Sequence, residues 1–141
     1  MSRSGKGRHT LKSPIGAEVT ATMTGLEHAI LGLQQALDAP RRHQTWRRLV
    51  RNRMAGVTEA LARELPREGD EWLASRELTL SRERDTLVRR LAALGPLVLL
   101  TPDVETVRVD LYRLLADVEH HRQRLNDLVY DSVSLELGGS E

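Results

Sequence analysis

Leu111-Tyr112-Arg113-Leu114-Leu115-Ala116-Asp117-Val118-Glu119-His120-His121-Arg122-Gln123-Arg124-Leu125-Asn126-Asp127-Leu128 is the stretch on which the fold turns. At about 100° per residue, Leu111, Leu114, Val118, Leu125 and Leu128 fall on one stripe, the signature of an amphipathic helix. His121 stands in line with them, where an ordinary helix bundle would place Leu or Ala. Just upstream, Thr101 can act as a cap, Pro102 fits a first helical position and Asp103 suits the positive helix terminus, so this helix is expected to run to about residue 132.

Three more segments of the same kind precede it. Residues from about 17 to 38 place Val19, Leu26, Ile30, Leu33 and Leu37 on one face before Pro40. A second segment starts near Thr45 and carries Trp46, Val50, Val57 and Leu61 towards Glu64, with a break at Pro66 and Gly69. A third spans about 70–94, with Leu80, Leu87, Leu91 and Leu94 in line, before Gly95-Pro96. No strand-like alternation and no internal repeat stands out. Long helices with short connections favour antiparallel neighbours, so the expected fold is all-α, an up-down-up-down four-helix bundle. The expected organisation is a basic tail at 1–17, the bundle at 18–134 and a short C-terminal tail at 135–141.

Composition bounds the function. A chain of 141 residues, 40% hydrophobic and 29% charged, builds one modest core. Without Cys it has no disulfide framework, no thiolate nucleophile and no sulfur-based metal site. No run is apolar enough to span a bilayer, which points to a cytoplasmic protein. Phosphate-binding glycine loops, zinc-protease motifs and nucleophile elbows are missing from the sequence, so an enzyme is not expected. Arg3, Lys6, Arg8 and Lys12 occupy an opening stretch with no acid before Glu18. They account for more than the net charge of +1.

Two further residues resemble His121 in being polar where the helix stripes should be apolar. Arg84 lies between Leu80 and Leu87, and Glu64 extends the face of Trp46, Val50, Val57 and Leu61. A buried unpaired charge costs several kcal/mol, so Glu64, Arg84 and His121 must meet one another, a metal, water or a ligand if the helices pack. Asp117, one turn before His121, completes this candidate polar cluster as the expected partner of the imidazole. A different cluster points outward. Six arginines and no acid occur from Arg41 to Arg53, and Arg47, Arg48 and Arg51 lie away from Val50 and Val57. Cations oppose the positive end of a helix, so helix stability does not explain them. They are candidates for binding an acidic protein partner; nucleic acid is not expected, because the acids from Glu59 to Glu71 interrupt the basic track.

The segment Glu119-His120-His121-Arg122-Gln123-Arg124-Leu125-Asn126-Asp127-Leu128-Val129-Tyr130, followed by Leu135-Glu136-Leu137-Gly138-Gly139, resembles the last helix and tail of bacterial hemerythrin-like proteins. Leu26-Glu27-His28, Trp46 and Arg82-Glu83-Arg84-Asp85 are compatible with that pattern, and the resemblance covers about residues 20–139. It implies a four-helix bundle holding a di-iron centre through histidines and carboxylates, used for oxygen or iron handling. Glu64, Glu68, Glu83, His121 and His28 would be the ligands here. The chain departs from the pattern: Glu64 and Glu68 flank Pro66 without an imidazole, and Arg84 stands at a ligand position although a guanidinium repels cations. Asp127 turns about 120° away from His121. The resulting expectation is a degenerate member, a non-enzymatic binding or regulatory module with no cofactor. The alternatives are a working non-haem iron bundle that binds or senses oxygen or iron, and an interaction protein that uses its basic face on an acidic partner.

Overall fold

Leucine, alanine and arginine favour helix, and in this chain they form four of them in a row: α1 (Pro14–Asp38), α2 (His43–Ala62), α3 (Glu71–Leu100) and α4 (Val104–Gly139). The structure is a computed structural model; it describes residues 14–40, 43–63 and 71–139, and side chains at 24–40, 44–63 and 74–131. Each helix packs on its two chain neighbours, and α4 closes the ring against α1, so the described helices form a four-helix bundle. The expected face of α4 is buried throughout, from Leu111 to Leu128 with His121 among them. The same holds for Leu26, Ile30, Leu33 and Leu37 of α1 and for Trp46, Val50, Val57 and Leu61 of α2, joined by Ala36, Met54 and Ala60.

Ion pairs fix the register of α3 against α4. Arg76 meets Asp131 at 2.8 Å, Arg124 bonds to Glu83, and Arg90 meets Asp117 at 2.7 Å. The partners rise along one helix and fall along the other, so the two are antiparallel. They recur every seventh residue on both helices, with the sign alternating along each. Sliding one helix by a heptad would set Arg76 against Arg124, or Glu83 against Asp131, in place of attraction. A single exposed pair contributes only about 0.2–1 kcal/mol, but a mis-registered ladder inverts every rung at once.

Element ends differ from the expected ones for identifiable reasons. The sequence predicts an end to α3 at about Leu94, before Gly95-Pro96, yet the helix continues to Leu100. Proline removes one amide donor and strains the preceding turn, at about 3 kcal/mol. Against that, Val98 is buried in the core and its carbonyl accepts a hydrogen bond from Arg47 at 3.0 Å. At the start of α4 the cap is Asp103 rather than Thr101: one carboxylate oxygen accepts from the Thr106 amide at 3.2 Å and the other from its hydroxyl at 2.6 Å. Residues 14–17, assigned to the tail by sequence, open α1, and 135–139 continue α4. The basic residues of the tail lie outside the described residues.

The two hairpins share one packing scheme. Arg47 of α2 caps the carbonyl of Val98 in α3, and Arg108 of α4 caps that of Leu37 in α1, both at 3.0 Å. One 61-residue displacement carries Arg47 to Arg108 (108 − 47) and Leu37 to Val98 (98 − 37). The same displacement superposes buried positions: Leu26 on Leu87, Ile30 on Leu91, Trp46 on Val107, Val50 on Leu111, Met54 on Leu115 and Val57 on Val118. The next pair is Ala60 and His121. There the likeness ends.

Candidate functional site

α4 presents Leu111, Leu114, Val118, His121, Leu125 and Leu128 at alternating spacings of three and four, a heptad seam. The fourth member is an imidazole. His121 has no solvent exposure, and its Nδ1 lies 2.6 Å from Glu83 Oε1 on α3. A carboxylate only accepts, so Nδ1 carries the proton and donates. Arg124, one turn further along α4, reaches the same carboxylate from the surface: Nε bonds to Oε1 at 3.2 Å and Nη2 to Oε2. The Glu83 carboxylate is thereby held by an imidazole from inside and a guanidinium from outside.

Burial alone would push the Glu83 carboxyl up. The hydrogen bonds and charges of Arg124 and His121 outweigh that and hold it below its ordinary value. The pair also divides the interior. Leu87 and Val118 belong to the main apolar cluster, while Leu80, Leu125 and Leu128 form a separate small one. Glu83 and His121 lie between the two on their respective helices.

The polar residues expected to gather at this centre are distributed differently. Asp117 turns to Arg90, not to His121, because the antiparallel register sets it opposite that arginine. Arg84 points aside and bonds to Ser81 and Asp85. The face of α3 towards α4 repeats every seven residues through Arg76, Glu83 and Arg90, which selects Glu83 and turns Arg84 about 100° away from it. Glu64 and Glu68 lie outside the described residues. His28 is exposed and lines a groove between α1 and α2 with Gly32, Arg53 and Glu59. Among the described residues no group of three or more His, Asp or Glu side chains is placed to hold a metal ion. A cation at Glu83 would also face the Arg124 guanidinium, so the described donors do not fit an iron centre.

No protein-family model, curated protein or solved structure matches this chain.

The sequence alone does not single out Arg124, and it offers Glu83 only as a metal ligand. The alternating charges at 76, 83 and 90 and at 117, 124 and 131 are the signal that pairs them. The arginines of α2 also differ from a free surface cluster. Arg47 is half-buried on the Val98 carbonyl, and Arg51 lies over Gly95, where an added methyl would sit 3.0 Å from its Nε. Arg48 is exposed. No helix among the described residues is long and apolar enough to cross a membrane.

Proposed function

We propose that this chain is a non-enzymatic helical-bundle binding module in which a structural ion pair stands where the hemerythrin-like pattern implies metal chemistry. The observation behind this reading is the occupancy of Glu83. Both of its oxygens accept hydrogen bonds, one from His121 and Arg124 together and the other from Arg124. A carboxylate so engaged has little remaining capacity to ligate a cation, and the guanidinium beside it adds repulsion. The degenerate ligand positions argue in the same direction: Arg84 stands where a ligand is implied, and His28 is exposed in a different groove. In such a bundle the work falls to its outer faces.

Elemental analysis after anaerobic loading with ferrous iron and desalting tests the reading. The expected result is iron well below one atom per chain and unchanged in His121→Ala. Near two irons per chain, with a near-ultraviolet band that His121→Ala abolishes, would overturn it in favour of a working iron bundle.

A further inference from the structure

The charge distribution of α2 is the starting point. Its first turn holds no acid, and arginines follow at 47, 48, 51 and 53, adding cations to the positive end of the helix dipole. Packing accounts for Arg47, which caps α3, and for the seat of Arg51 over Gly95. Arg48 and Arg51 nevertheless remain exposed, and neither has an anionic partner among the described residues. The end of α3, which Arg51 overlies at Gly95, exposes leucines: Leu99 is 38% and Leu100 79% accessible. Leu99 and Leu100 form a groove with Gln44, Trp46, Arg47 and Pro102. Trp46 lines it with its indole N–H buried and, among the described residues, without a hydrogen-bond partner.

We infer that this α2–α3 face docks an acidic amphipathic segment of a partner protein, whose apolar side chains pack on Leu99 and Leu100 while its carboxylates pair with Arg48 and Arg51. The inference rests on reading the chain as a binding module and names the chemistry of what it binds. Charge complementarity selects acid over base. The apolar groove selects protein over nucleic acid: Trp46 is 2% exposed, so its ring offers no stacking platform, and leucines interrupt the track that phosphates would follow. Acidic helices with an apolar stripe match such a groove by spacing.

The test uses the full chain and a fluorescein-labelled helical peptide with leucines at i, i+3, i+4 and i+7 flanked by glutamates, followed by anisotropy. The peptide should bind, and more weakly as salt is raised. Arg48→Glu with Arg51→Glu should weaken binding by about tenfold or more. Leu100→Ser, at a position already open to solvent, should weaken it by about threefold or more. Circular dichroism and melting curves confirm that both variants stay folded. Failure of the peptide to bind, or indifference to Leu100→Ser, overturns the inference. So does binding of a duplex DNA fragment or of phosphatidylserine vesicles that is lost in the double variant while the peptide does not bind. Concentration-dependent dimers, lost in these variants, would assign the face to a second copy and equally overturn it. Iron loading reads Glu83 and His121, whereas peptide binding reads Arg48, Arg51 and Leu100, so either experiment can fail alone.

Discussion

Glu83 shows how one side chain couples burial to protonation. Its carboxyl titrates below the ordinary value of 4.5 in the folded chain, so as the pH falls the unfolded state takes up the proton first. The stability it supplies is therefore complete above about pH 4.5 and is lost as the pH drops through the lowered folded value. Glu119, held down by its hydrogen bond from Arg122, acts in the same window. Glu83→Gln should make the melting temperature fall less steeply between about pH 5 and pH 3 than in the parent chain. An unchanged slope would assign the acid sensitivity elsewhere. Glu83→Ala at neutral pH should cost about 1–3 kcal/mol in denaturant unfolding, because the buried Nδ1–H of His121 loses its acceptor. His121 was legible in the sequence as a polar residue on an apolar stripe. Its partner was not, because Glu83 and Arg84 are adjacent and only the seven-residue repeat of the α3–α4 contact decides between them.

The helices obey their sequence signals except where a neighbour intervenes. The buried faces of α1, α2 and α4 follow directly from the spacing of their leucines and valines. Pro96 is the counterexample: its local chemistry ends a helix, whereas a core residue at Val98 and a capping guanidinium from α2 carry α3 four residues further. The guanidinium comes from a position 51 residues before Val98, where no local reading can find it. Since Pro96 itself is exposed, Pro96→Ala restores an amide donor without disturbing the core. It should raise stability by about 1–3 kcal/mol, measured by urea unfolding. A loss of stability would mean that the proline sets an angle that the α3–α4 connection requires.

Across the whole molecule, the α3–α4 ladder and the repeated arginine caps govern how the bundle goes together. Replacing Arg76 and Arg90 by Glu should lower stability by about 1–2 kcal/mol, and adding Asp117→Arg with Asp131→Arg should recover most of it. Recovery that vanishes at high salt is expected for exposed pairs; no recovery at low salt would show that the ladder does not set the register. The correspondence of the two hairpins escaped the sequence because it preserves burial rather than identity or size: Trp46 aligns with Val107 and Met54 with Leu115. It also bears on ancestry. Two identical hairpins associating as separate chains must accept every substitution twice, once in each copy, and two imidazoles facing one small core would each need an acid. Joined in one chain, the copies can diverge singly. His121, which corresponds to Ala60 under that displacement, is a difference of this kind: a polar centre that two identical hairpins could hold only in duplicate.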